Sequence, residues 1–252
     1  MQELIRLAKE EIPSVDAIIE KTWIQLNFKR SYVQRNFGEA LVSFDERATK
    51  IFMRYEKDAL VRLAKLWLEM QKANIKSRFE RILAQKGWNE FLNEASKVFA
   101  EFGDLVQQFE KDLGNMRKAR GGKTFEKVII KFLSFIGIKS EIPRGIAKEE
   151  LRRIDIVIPS VDIAIKTPDR AIFLTCKRTL RERWKQEVPQ ARLNQRIYLL
   201  TIDDDLSEGK AIEINQKGLI AFVRDELAKD RAFGKMPWVR RLSDLPGELK
   251  RI

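Results

Sequence analysis

The sequence predicts an α/β (α+β) protein, with a helical N-terminal region followed by a core in which helices flank a central β-sheet of mixed direction. Three observations predict it. Residues 1 to about 115 carry apolar side chains almost wholly at helical spacing. Strand-length runs rich in isoleucine and valine begin only after Lys139, and from there strands alternate with helical stretches. The expected division is a helical subdomain over 1–115 and a sheet-bearing core over 116–252.

In order, Leu4, Leu7 and Ala8 share one helical face. Pro13-Ser14 then offers a stop and a new N-cap before Val15, Ile18, Ile19 and Trp23. Residues 44–85 keep helical spacing through Phe52, Tyr55, Leu60, Leu63, Leu66, Trp67 and Met70, then Phe79 and Leu83. That length suits two helices with a break near Asn74. Gly87 ends the stretch and Asn89 can cap the next helix, whose apolar positions include Leu92, Val98, Phe102, Leu105 and Phe109. A basic run with Gly121-Gly122 follows, then a helix through Val128, Ile129, Phe132 and Phe135 that stops at Gly137.

A short strand over 139–142 precedes a loop with Pro143 and Gly145. Residues 154–158, 161–165 and 171–176 read as three strands joined by Pro159-Ser160 and Thr167-Pro168-Asp169, with Asp162 facing solvent. Residues 196–202 form a further strand, 207–216 a helix, 219–223 a strand and 225–230 a helical turn. The tail over 236–252, with Trp238, Leu242 and Leu245, packs back onto the core.

Composition narrows the chemistry. The 252 residues carry a formal net charge of +12, which favours a polyanionic partner without choosing among DNA, RNA and an anionic membrane. Lysine and arginine are spread along the chain, as a folded basic cleft requires. The one cysteine, Cys176, excludes an internal disulfide and a cysteine-rich zinc site, and the absence of histidine excludes Ser-His-Asp triads and HExxH zinc centres. Acid and lysine chemistry with a divalent ion remains. No apolar run approaches the roughly 18 residues of a membrane span, and the N-terminus lacks a signal-peptide core, so a cytoplasmic location is expected.

Residues 173–184 concentrate the candidate chemistry. Their first half reads as a buried strand ending at Lys177 and their second as the start of an amphipathic helix carrying Arg181-Glu182-Arg183-Trp184. Upstream, Asp155 stands in an alternating strand pattern 22 residues before Lys177. A strand acid followed by a neighbouring strand that ends in lysine is the PD-(D/E)XK nuclease arrangement. In it the acid binds Mg²⁺ and the lysine assists the attacking water or the charge on the phosphorus oxygens.

With the Arg-Glu-Arg run added, the sequence resembles the restriction endonucleases that cut CCGG, CCNGG and CCWGG sites, the EcoRII, SsoII and PspGI group. The resemblance implies a restriction-endonuclease-like core and a type II site-specific deoxyribonuclease acting on double-stranded DNA as a homodimer. Mg²⁺ would be its cofactor, with no small-molecule cofactor and no membrane. It implies that Arg181, Glu182 and Arg183 read C:G pairs, since a guanidinium bonds guanine O6 and N7 and a carboxylate accepts from cytosine N4. It further implies that Asn115 or Arg117 reaches base edges, that Arg120 and Lys123 serve phosphates beside Gly121-Gly122 and a helix N-terminus, and that Glu126 lies near the metal. If the CCNGG branch applies, an aromatic wedge would accompany base flipping, with Tyr55, Trp67 and Phe79 as candidates by type.

Plainer roles are open to the same residues. Thr179 and Glu182 form a capping-box pattern, Arg181 and Arg183 could be solvated charges, Trp184 core packing, and Glu126 a helix-start acid. The resemblance also breaks at one place: Thr175 stands where the motif has an acid, and Gln190 where the group has its second carboxylate, thirteen residues after the lysine. Either Glu187 takes that role, or Gln190 marks an acid-to-amide change that weakens metal binding. The expected catalytic set is Asp155, Lys177 and Glu187 with Glu126 in support, and the ion's ligands are Asp155, Glu187 and the Cys176 carbonyl. A repair or junction-resolving nuclease, a catalytically weakened DNA-binding member of the fold and a basic scaffold for RNA are the alternatives.

Overall fold

The computed structural model describes residues 1–180, 184–191 and 195–250, apart from the side chains of residues 78, 119, 120, 122 and 123. Helices α1 (Gln2–Lys9), α2 (Val15–Leu26) and α3 (Arg30–Arg35) precede two long ones, α4 (Phe37–Gln85) and α5 (Gly87–Phe135). Ser14 opens α2 as a cap, its Oγ accepting from the Ala17 N–H at 3.2 Å.

Two expected interruptions are absent. α4 passes Asn74 unbroken, because asparagine costs a helix only about 0.7 kcal/mol relative to alanine and the exposed pairs Glu69–Lys72 and Lys76–Glu80 flank it. α5 likewise runs through Gly121-Gly122. Each glycine costs about 1 kcal/mol, and buried Leu113 on one side with Phe125, Val128 and Ile129 on the other offsets this. The helix N-terminus expected near Lys123 therefore does not exist. Gly137, at φ +83°, turns the chain out of α5. The turn is closed by bonds from the Gly137 N–H to Ser134 O at 3.0 Å and from the Ile138 N–H to Leu133 O at 2.8 Å.

The core continues with α6 (Ile146–Glu150), β1 (Ile156–Ile158), α7 (Val161–Lys166), β2 (Ile172–Cys176), α8 (Trp184–Glu187) and β3 (Arg196–Leu200). It ends with α9 (Glu208–Gln216), β4 (Leu219–Val223), α10 (Asp225–Ala228), β5 (Val239–Arg241) and α11 (Leu245–Leu249). The five strands lie in the order β1-β2-β3-β4-β5, with β1 antiparallel to β2 and the rest parallel. The sheet is thus mixed and flanked by helices, as the alternation of strand and helix patterns in the second half predicts. Its strands are buried on both faces. Val157, Phe173, Ile197, Leu199, Ala221 and Val239 pack in one cluster with Ala211 and Ile214 of α9 and with Trp184, and Ile156, Leu174, Cys176, Leu200 and Phe222 are buried as well.

Three local expectations change. Residues 161–166 are a helix, because Ser160 Oγ caps it from the Ile163 N–H and Glu141 Oε2 accepts the Val161 N–H at 2.8 Å. Asp162 is exposed there in a 2.7 Å pair with Lys166, not on a strand. Residues 139–142 contribute a single bridge, Glu141 to Val157. The tail supplies a fifth strand, and buried Leu242 and Leu245 follow it.

The chain forms two compact units, Met1–Ile18 with Ala48–Ala119 and Ile19–Arg47 with Arg120–Ile252. The first has its own core of Ile5, Ala8, Ile12, Ala59, Leu63, Trp67, Leu105, Phe109 and Leu113. In the second, residues 19–47 bring Trp23, Phe28, Phe37 and Phe44 against Phe132, at ring separations of 5.2, 5.8, 5.7 and 5.6 Å. Among the described residues no helix is long and apolar enough to cross a membrane. Replacing the fully buried Phe132 with alanine is expected to lower unfolding free energy by about 3–5 kcal/mol, measured by denaturant titration.

Candidate active site

The antiparallel pairing of β1 with β2 sets Ile156 opposite Leu174. Asp155, one residue before β1, therefore lies beside the end of β2, and its N–H donates to Leu174 O at 2.9 Å. Its carboxylate turns to the same strand: Oδ2 accepts from the Cys176 N–H at 2.7 Å and from the Thr175 hydroxyl at 3.4 Å. β2 then ends, and the Lys177 N–H donates to Leu200 O at 2.9 Å. Acid and lysine thus stand at one end of the sheet on neighbouring strands, as their spacing implies.

Electrostatics tie further groups to this end. Burial holds the Asp155 carboxyl above its usual range, against the opposing pull of the Lys177 ammonium, the Cys176 N–H, the Thr175 hydroxyl and Lys148. Burial also raises the Cys176 thiol far above its ordinary value, helped by the charges of Asp155 and Glu126. Glu126 on α5 therefore acts on the same corner. Glu187, on α8, places Oε2 3.9 Å from the Lys177 ammonium, with its side chain 59% exposed. The structure thus brings together Asp155, Cys176, Lys177 and Glu187, with Glu126 exerting its charge on the same corner. Gln190 lines a cavity of about 340 Å³ with Arg153, Ile154, Phe173, Pro189 and Ile197. Phe173 and Ile197 pair three rungs before Cys176 and Leu200, away from Lys177.

These donors suit a hard divalent cation. Among the described residues the hydrogen bonds to Asp155 reach Oδ2, and no three acidic, histidine or cysteine side chains converge as a closed cage. Mg²⁺ takes hard oxygen ligands, commonly one or two carboxylates completed by waters and substrate phosphates. A buried, partly desolvated carboxylate also favours a cation beside it.

Arg181, Glu182 and Arg183 lie outside the described residues. Their flanks are firmly held: Leu180 and Trp184 are 2% and 3% exposed, so Trp184 is core, and among the described residues the helix begins at Trp184. Arg178 forms a two-pronged bond with Asp45 of α4, Nε and Nη2 each 2.7 Å from a carboxylate oxygen. The Leu180 N–H donates to Asp203 Oδ2. Neither partnership is visible in local pattern, since Asp45 is 133 residues from Arg178 and Asp203 stands in a plain acidic run.

Asn115 and Arg117 lie on α5 in the first unit. Asn115 is exposed. Arg117 is committed, with Nε 2.5 Å from the nearly buried Glu56 and Nη2 3.5 Å from Glu110. The bond to Glu56 raises the Arg117 guanidinium above its ordinary range. Arg120 and Lys123 fall within α5, and their side chains are outside the described set. Of the aromatic candidates, Trp67 is buried in the first unit's core and packs on Phe102 at 5.2 Å, Tyr55 packs against that core, and Phe79 meets Phe91 at 5.1 Å.

Residues 88–236, more than half of the chain and the stretch that holds Glu126, Asp155, Lys177 and Glu187, match the family model described as EcoRII C terminal. The chain belongs to the EcoRII C-terminal family. It is similar to the type II restriction enzyme SsoII of Shigella sonnei, at 24% identity over 205 residues, 76% of this chain and 62% of SsoII. It is also similar to an uncharacterised protein in the DsaVM 5′ region of Dactylococcopsis salina, at 36% identity over 64 residues, 25% of this chain and 54% of that one. The chain thus spans less than two thirds of the length of these curated relatives.

Two solved structures share the family's fold. Metal-depleted Ecl18kI in complex with uncleaved DNA superposes with a TM-score of 0.76 at 19% identity, over 99% of this chain and 83% of Ecl18kI. The PspGI–substrate DNA complex gives 0.65 at 21% identity, over 97% and 94%.

The Arg117 contacts yield a test. Arg117→Ala leaves Glu56 without its cation and is expected to lower stability by about 1–2 kcal/mol, read as a fall in thermal midpoint. A variant that keeps its midpoint but loses duplex affinity would instead assign Arg117 to DNA.

Proposed function

We propose that this chain is a type II site-specific deoxyribonuclease that cleaves both strands of duplex DNA at a short palindrome with CC and GG half-sites, of CCNGG or CCWGG type. The observation that carries the reading is the pairing of Asp155 and Lys177 at one sheet end, with the Asp155 carboxylate bonded to the Cys176 N–H at 2.7 Å. The names of its relatives agree with it: SsoII is a type II restriction enzyme, and Ecl18kI and PspGI are described with DNA. A net charge of +12 suits the same polyanion.

Asp155 and Glu187, with the Cys176 carbonyl and with Glu126 in support, are the groups that would hold Mg²⁺. A divalent ion there supplies positive charge opposite the oxygens of the scissile phosphate. The Lys177 ammonium, its side chain 20% exposed, assists the attacking water and stabilises charge on the phosphorus oxygens, and the 3′ oxygen leaves without a covalent intermediate. Arg181, Glu182 and Arg183 read C:G pairs in the major groove. Asn115 and Arg117 are further base-edge candidates, and Arg120 and Lys123 serve phosphates. A palindrome and one active site per chain require a two-fold homodimer, and a cytoplasmic location goes with the activity.

One observation favours a second reading, a catalytically weakened DNA-binding member of the fold: Gln190 stands where the group carries an acid. Glu187 beside Lys177 favours the active form.

The test is incubation with a phage genome and Mg²⁺, followed by mapping of fragment ends. Discrete ends at CC and GG half-sites are expected, and Lys177→Ala is expected to slow cleavage by about 100-fold or more. Glu187→Gln is expected to abolish cutting while Gln190→Ala spares it. Specific binding without cutting, converted to cleavage by Gln190→Glu, would establish the weakened form. A chain that shows no binding and no cutting of duplex DNA overturns the proposal.

A further inference from the structure

The seven residues from Lys177 to Arg183 connect the catalytic strand end to the base-reading run. The described part of this connection is tethered from three elements. The Lys177 N–H is bonded to Leu200 O of β3 at 2.9 Å. The Arg178 guanidinium takes both oxygens of Asp45 on α4, at 2.7 Å each. The Leu180 N–H donates to Asp203 Oδ2 in the loop after β3. Asp203 is itself held, its N–H donating to Thr201 Oγ1 at 3.1 Å and its Oδ1 accepting from the Asp205 N–H at 3.2 Å.

A two-pronged guanidinium–carboxylate bond fixes distance and plane together, which a single-point contact does not. Arg178 stands one residue after Lys177 and three before Arg181, in a segment that the proposed activity brings up to DNA phosphates. An arginine there would by default serve a phosphate. Here it is turned onto a helix 133 residues away in sequence. Asp45 and Arg178 are both partly exposed, so their pairing adds little to fold stability. Its geometric effect is larger, because a misplacement of about 1 Å at a reacting group can cost about 100-fold in rate.

We propose that Asp45, through Arg178, and Asp203, through the Leu180 N–H, are positioning residues that set Lys177 and the reading run at the register needed for cutting and for discrimination. This inference rests on the nuclease reading above. Neither residue touches substrate, and each acts through the segment it holds.

The test compares wild type with Asp45→Asn, a near-isosteric change, on a CC/GG-site duplex and on a scrambled duplex. Single-turnover cleavage is measured with Mg²⁺ and equilibrium binding without it. Asp45→Asn removes the negative charge from the fork with Arg178 and loosens the segment. It is therefore expected to hold or tighten affinity for scrambled duplex while single-turnover cleavage and the cognate-to-scrambled binding ratio each fall about ten-fold or more. Arg178→Gln alone and the Asp45→Asn/Arg178→Gln pair are expected to lose the same discrimination, with the pair no worse than the worse single change. Asp203→Ala is expected to lower cleavage and discrimination without the gain in scrambled-duplex affinity.

A uniform loss that tracks a lowered thermal midpoint in every variant overturns the positioning role and leaves a structural one. Wild-type discrimination and cleavage in Asp45→Asn and Asp203→Ala overturn it outright. Failure of the wild-type chain to bind or cut the CC/GG-site duplex overturns the nuclease reading instead, and the two failures are distinguished by which protein shows them.

Discussion

The bond from the Cys176 N–H to Asp155 Oδ2, at 2.7 Å, is the contact on which the rest of the site depends. It exists because β1 runs antiparallel to β2 while β3 runs parallel to it. Only with β1 reversed does the residue before its first strand position lie beside the last position of β2. An acid at that place then closes the end of a strand whose five residues are all buried. On the β1 side the strand end is closed by a carboxylate, and the chain leaves the sheet at Lys177, whose ammonium acts electrostatically on that carboxylate.

The same corner is where polar groups are hardest to bury. Desolvation disfavours charge on Asp155, and Lys177 only partly offsets it. Thr175, where the motif has an acid, contributes a hydroxyl to the same oxygen. A second carboxylate at Thr175 would repel Asp155 inside a buried strand, whereas Glu187 on α8 carries its charge largely exposed and near the lysine. The arrangement keeps one acid sheltered and the other open to solvent.

How much of this was legible in the sequence depended on how local the cause was. Strands β2, β3 and β4 and the pairing of Asp155 with Lys177 followed from apolar runs and from spacing. So did the cap at Ser14. The helix at 161–166 carries a strand-like pattern because Val161, Ile163 and Ile165 alternate with Asp162, Ala164 and Lys166, while the deciding cap by Ser160 and the Glu141 bond come from outside the run. The unbroken α4 and α5 reflect helices in which tertiary burial outweighs the modest costs of Asn74 and of Gly121-Gly122. The fork of Arg178 with Asp45 could not be read at all, for no local pattern links residues 133 positions apart.

The chain passes from one compact unit to the other near residues 18, 47 and 119, each time inside a helix. Neither unit is a continuous piece of sequence, and none of these crossings is a loop that tolerates cutting. A fragment begun at residue 116 would carry the sheet and the catalytic corner, yet it would lack Trp23, Phe28, Phe37 and Phe44 around Phe132 and would lack Asp45 for Arg178. The sheet-bearing core of this chain is therefore not a portable module: grafting it onto another protein means transplanting residues 19–47 as a separate strip and rejoining them with new connections.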